Sequence, residues 1–216
     1  MSDIKHFVNK KQLDLLTETM NIGAGNAAAA LGQILHRPVR PVMPRVHIKP
    51  LAKVSSILGD PASPVVCIRM RMVGDLTGGM FFIMSEEDKV ALVNLAEQVT
   101  PGLAQLTGRE SEEVRFSALY EIGNILAGVY LTAVHDFCGL NSYHTVPVLA
   151  VDMIQALLDE ALVGLSLQAQ TVLMVENEFS VEEHRIRTLL LIIPSAESVN
   201  SLVNALGKMS EVYDSA

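Results

Sequence analysis

Two sets of polar residues repeat in this chain at one fixed spacing. The first is Asp14, Glu18, Asn21 and Pro44; the second is Ser117, Glu121, Asn124 and Pro147. Every member of the second set lies 103 positions after its counterpart. On a helix, positions i, i+4 and i+7 share one face. Asp14, Glu18 and Asn21 therefore form one polar column, and Ser117, Glu121 and Asn124 another. A carboxylate on such a face can pair with a cation, and an amide one turn away can donate and accept at once, so it can orient a water. Neither is a strong nucleophile, and no His, Cys or Ser base stands at helical spacing to activate one. A Glu and an Asn on the wet face of an amphipathic helix are also the ordinary makings of a solvated surface. The recurrence of both, with the proline, weighs against that bland reading.

The elements that must position these columns repeat as well. Leu16 matches Leu119, Ile22 matches Ile125, Ala24 matches Ala127, Gly25 matches Gly128 and Ala30 matches Ala133, all at the same offset. Leu92-Val93-Asn94 matches Leu202-Val203-Asn204 at an offset of 110, so the second half carries about seven more residues. Self-similarity on this scale marks a duplicated supersecondary unit. Apolar periodicity predicts long helices over about Lys11–Leu35 and Glu110–Asp136. Each is followed by a strand (Val39–Ile48; Tyr143–Ala150), a short helix (Leu51–Leu58; Asp152–Leu162), two strands (Val65–Val73 and Leu76–Met84; Ser166–Glu178 and Glu183–Ile193) and a last helix (Ser85 to about Val99; Ser195 to Met209). The tail from Ser210 is expected to fray. The expected fold class is α+β: a pseudo-twofold duplication with an antiparallel sheet core and surface helices carrying the motifs. The chain is read as a single domain of two repeats, about 1–103 and 104–216, and as a monomer, because each half's apolar strands need cover from the other.

Composition narrows the function classes. Half of the 216 residues are hydrophobic, Trp is absent and the net charge is −8. A basic stripe for nucleic acid is not there, nor is the charge for an anionic membrane surface. Apolar runs such as Leu189–Ile193 fall short of the ~20 residues of a membrane span, and the N-terminus has no long apolar core for a signal peptide. Cys67 and Cys138 stand apart and are expected to be buried, reduced thiols. The six histidines are scattered without metal-ligand spacing, so no metal or cofactor is expected in this chain. Gly23, Gly25 and Gly128 serve either helix packing within the protein or the approach of a partner's loops.

The pattern Asp/Ser-x3-Glu-x2-Asn-x22-Pro, with the context Asn21-Ile-Gly-Ala-Gly-Asn-Ala-Ala, resembles the active-site signature of the CheC, CheX and FliY family of chemotaxis phosphatases. Two copies on a chain of this length resemble the CheC branch. The resemblance implies dephosphorylation of the phosphorylated response regulator CheY in the cytoplasm. Glu18 and Glu121 would pair with the regulator's active-site lysine, and Asn21 and Asn124 would orient the attacking water. The Mg²⁺ would belong to CheY. Asp14 and Ser117 would orient the glutamates or touch the partner; Pro44 and Pro147 would be structural. The family also binds the receptor deamidase CheD, which makes CheD a candidate partner and Val151–Leu162 a candidate docking surface or a plain core helix. The competing readings are a binding module that sequesters CheD or CheY, and a structural piece of the flagellar switch.

Overall fold

The first helix begins where Asn9 caps it. The Asn9 side chain accepts from the Gln12 backbone N–H at 2.9 Å, and the Gln12 side chain accepts from the Asn9 N–H at 2.9 Å. This reciprocal capping box satisfies two donors that a helix end otherwise leaves open. In this computed structural model, which describes residues 8–50, 53–54, 63–99, 109–164 and 171–214, helix α1 spans Lys10–Leu35. It ends at His36, which adopts a left-handed conformation (φ 49°), two residues before Pro38. Helix α2 (Glu86–Glu97) starts at Ser85, whose hydroxyl accepts from the Asp88 N–H. The remaining helices are α3 (Arg109–Cys138), α4 (Ile154–Gly164) and α5 (Ala196–Asp214).

Seven strands form one antiparallel sheet: β1 (Val39–Pro50), β2 (Pro64–Gly74), β3 (Gly78–Met84), β4 (Ser142–His144), β5 (Val148–Met153), β6 (Thr171–Val181) and β7 (His184–Pro194). The order is β1-β6-β7-β3-β2, and the outer edge of β2 takes β5 along residues 64–69 and β4 along residues 72–74. From either edge inward, the first strand of one half meets the second and then the third strand of the other. The two third strands, β3 and β7, pair at the centre, with Met80 opposite Ile192.

The pleat sends alternate residues to two apolar clusters. Val66, Ile68, Met80, Phe82, Leu190 and Ile192 face the long helices α1 and α3. Cys67, Phe81, Ile83, Leu189, Leu191 and Ile193 face the other way, where Val54 and the Ile154, Leu157 and Leu158 side chains of α4 cover them. Leu189–Ile193 is a continuous apolar run because the strand is buried on both faces.

Several expectations change in detail. The strand read over Tyr143–Ala150 is broken in two. Pro147 has no N–H to give a ladder, and the Arg71 N–H bonds to the Thr145 hydroxyl, not to a carbonyl, at 3.1 Å. Pro44 sits at the matching irregularity of β1, where the register with β6 shifts between Val42 and Arg45. Cys67 is buried as expected, on the sheet face that α4 covers, whereas Cys138, also expected to be buried, is only half-buried. The tail does not fray at Ser210: α5 continues to Asp214, and the Lys11 ammonium donates to the Ser210 carbonyl at 2.8 Å. The short helix expected over Leu51–Leu58 falls largely outside the described residues, as does the start of the strand expected from Ser166. One helix, over Glu113–Cys138, is long and apolar enough by composition to cross a membrane, contrary to the reading of short apolar runs. Half of that stretch is buried inside this fold, through residues such as Leu119, Ile122 and Tyr130.

Candidate functional site

Helix α1 turns Leu16, Met20, Ala24, Ala27 and Leu31 to the core. That orientation puts Asp14 and Glu18 in solvent, with Asn21 half-buried one turn further on. Helix α3 does the same through Leu119, Ile122, Leu126 and Val134, leaving Ser117, Glu121 and Asn124 exposed. Both polar columns thus stand on the outer surface of their helices. Among the described residues, none of Asp14, Glu18, Glu121 and Asn124 has a hydrogen-bonding or ion-pair partner in the protein. Ser117 is committed locally: its hydroxyl donates to the Glu113 carbonyl at 2.8 Å.

The two columns are not identical. The Asn21 Oδ1 atom is buried and has no hydrogen-bond partner, a state that buried acceptors seldom occupy. Asn124 is exposed. The second column also has a neighbour that the first lacks. The His144 imidazole of β4 lies beside Gly128, one turn beyond Asn124, with its Nδ1 3.1 Å from the Thr145 carbonyl. The position 103 residues before His144 is Pro41. No sequence spacing connects His144 to this column; the pairing of β4 with β2 brings it there.

Pro44 and Pro147 do not line the columns. They interrupt β1 and the β4–β5 edge, at corresponding places on opposite margins of the sheet. Edge strands and their breaks are where a proline, lacking an N–H for the ladder, is tolerated. A cavity of about 630 Å³ between the end of α3 and α5, lined by Phe137, Cys138, Ala205 and Met209, holds none of the motif residues. Among the described residues no three His, Cys, Asp or Glu side chains are grouped as a metal site. Neither that cavity nor the one between β6, β7 and α2, lined by Asp88, Glu178 and Arg187, includes a residue of either column.

The chain belongs to the CheC-like family. It is 33% identical over 202 residues to the CheY-P phosphatase CheC of Bacillus subtilis (strain 168), an alignment that covers 93% of this chain and 96% of that protein. The model of the CheC-like family matches residues 116–151, a stretch holding the whole second motif from Ser117 to Pro147. The fold is similar to that of Thermotoga maritima FliY, with a TM-score of 0.71, 19% identity, and 94% of this chain and 98% of that one covered. It is also similar to a chain of the CheX-CheY-BeF3-Mg complex from Borrelia burgdorferi, with a TM-score of 0.51, 15% identity, and 80% and 96% coverage. The middle domain of FliM from H. pylori shares the fold with a TM-score of 0.61, 12% identity, and 92% and 99% coverage.

Proposed function

We propose that this protein is a phosphatase that hydrolyses the aspartyl phosphate of phosphorylated CheY, using Glu18 with Asn21 and Glu121 with Asn124 as two catalytic pairs. The observation that carries the proposal is the recurrence of an exposed carboxylate without an ion pair about one helical turn before an amide, exposed at Asn124 and half-buried at Asn21. The relative at 33% identity bears the name of this activity.

The chemistry suits such modest groups. An acyl phosphate is already activated, and phosphoryl transfer is catalysed mainly by positioning and charge neutralisation. On this reading each Glu pairs with the lysine in CheY's active site and fixes the docked orientation. Each Asn enters that site and holds a water in line with the phosphorus through its amide. The Asn21 oxygen is buried without a partner, so on this reading its amide turns outward to meet the water when CheY docks. The water oxygen bonds to phosphorus, the bond between phosphorus and the aspartyl oxygen breaks, and its electron pair stays on the carboxylate. Aspartate and inorganic phosphate result. A Mg²⁺ bound to CheY would supply charge neutralisation to the transferred phosphoryl group. Asp14 and Ser117 stand one turn before the glutamates and flank the contact. On the same reading the protein acts in the cytoplasm with its substrate. It works as a monomer of one domain, since strands of both halves are interleaved in one sheet.

A second reading, a module that binds CheD, draws on the β5 edge beside α4, where Val148, Val151 and Met153 are exposed. The discriminating experiment is phosphate release from phosphorylated CheY with and without this protein, and with the Asn21→Ala/Asn124→Ala variant. The phosphatase reading expects acceleration by the wild type and a loss of about 10²-fold or more in the variant, the scale for removing a positioning group from a transition state. Equal rates for wild type and variant would remove the asparagines from the mechanism. No acceleration by either would leave the binding module.

A further inference from the structure

Four glycines sit within or beside the two polar columns, and the structure divides them into pairs. A Cβ at Gly23 would lie 2.6 Å from the Tyr130 ring, and a Cβ at Gly123 would lie 2.7 Å from the Ile68 side chain. Those two are required by the protein's own packing. A Cβ at Gly25 would meet nothing within 4 Å, and at Gly128 only the His144 Nε2 atom at 3.9 Å, an ordinary contact. Neither Gly25 nor Gly128 has a positive φ. Nothing in this fold therefore forbids alanine at either position. A glycine inside a helix nonetheless destabilises it relative to alanine.

Their place explains the cost. Gly25 lies four residues beyond Asn21, and Gly128 four beyond Asn124, so each glycine is the next step of its column, about 6 Å along the axis. The column is thus Asp or Ser, Glu, Asn, Gly, in both halves. Its last member is a bare stretch of helix backbone facing outward. Without a Cβ, another chain's backbone can come closer to this surface than it could to any other residue type.

We propose that Gly25 and Gly128 are clearances that admit the main chain of the docked phosphoprotein, and so set how deeply Asn21 and Asn124 reach its phosphoryl group. The inference rests on the phosphatase reading and names what that site demands of its partner: a polypeptide loop running across the helix one turn beyond the amide. At the second column the His144 imidazole borders the clearance; the first is open on that side.

The test sets stability against activity. In Gly25→Ala/Gly128→Ala the thermal midpoint should stay or rise, because alanine favours the helix and clashes with nothing. Over the same change kcat/KM for phosphorylated CheY should fall about tenfold, and in Gly25→Leu/Gly128→Leu by about a further tenfold, because the amide is held back from the reacting atom. A fold-serving glycine would instead lose stability and activity together, and that outcome overturns the proposal. So does retention of wild-type kcat/KM in both variants. If the wild type itself releases no phosphate above the spontaneous rate, the phosphatase reading fails and the clearance fails with it. If the wild type is active and the Gly variants match it, only the clearance falls.

Discussion

The ring of Tyr130 lies in the notch that Gly23 leaves in the first long helix, so that an added Cβ there would sit 2.6 Å from the ring. Tyr130 belongs to α3, in the second half of the chain, and its hydroxyl donates to Asn177 Oδ1 on β6 at 2.7 Å. One side chain thereby locks α1, α3 and the sheet together. It fixes how far apart the two polar columns stand.

That lock should be costly to disturb. Gly23→Ala presses a methyl against a ring that is buried and tethered through its hydroxyl to Asn177, and overpacking of this kind costs about 1–3 kcal/mol. Tyr130→Phe leaves the ring in place but strands the buried Asn177 oxygen, at about 1–3 kcal/mol. Urea unfolding of both variants measures these costs. A Gly23→Ala variant as stable as the wild type would show that the helices slide apart freely. It would also erase the contrast with Gly25→Ala, which should gain stability.

The glutamates should govern affinity. Glu18→Lys/Glu121→Lys replaces a cation-pairing group with a like charge opposite the proposed lysine, and such juxtapositions cost enough to weaken binding at least about tenfold. Titration of the variant against CheY held in its phosphorylated form reads this directly. Raising the salt should weaken the wild type and leave the variant less affected, since screening removes an attraction only where one exists. Unchanged affinity in the variant would remove the pairing role.

The thiols predict an alkaline transition. Burial pushes the Cys67 thiol up from an ordinary 9.0 to about 12, with Arg69 opposing and Glu160 adding. Burial likewise pushes Cys138 to about 11, opposed by a hydrogen bond with Thr19. A thiol raised in the folded state lends stability that is complete below its unfolded pKa and disappears as pH climbs through the folded one. Folding stability should therefore decline between about pH 9 and 12, and Cys67→Ala should flatten that decline. At neutral pH neither thiol should label readily in the native protein, since the thiolate is the reactive form. Fast labelling of Cys67 without unfolding would contradict its burial.

How much of this was legible in the sequence depends on the range of the interaction. The polar columns needed only the helical period, which places residues four and seven apart on one face whatever surrounds them. The apolar stripes of α1 and α3 were legible for the same reason. The strand over Tyr143–Ala150 was over-extended because the Arg71 N–H finds the Thr145 hydroxyl only when β2 lies beside it. The end of α5 was misplaced because the residue that ties down Ser210, Lys11, lies at the other end of the chain.

The sequence by itself determined the two Asp/Ser-Glu-Asn columns, their repetition at an offset of 103, and the long helices that carry them. These follow from spacing along a single covalent path, where the geometry of one turn is set by backbone sterics. Only the tertiary structure decided which strands became neighbours, with β1 against β6 and β5 against β2, so that each half's first strand pairs with the other half's second. It also decided that Cys67 is covered, that His144 borders one column alone, and that Gly23 is filled by Tyr130 while Gly25 stands open. The physical reason is that glycine carries no side chain to reveal its role. Whether the space beside it is occupied depends on segments as far off as Tyr130 is from Gly23, 107 residues along the chain, brought there by burial of apolar surface, which has magnitude but no address in the sequence.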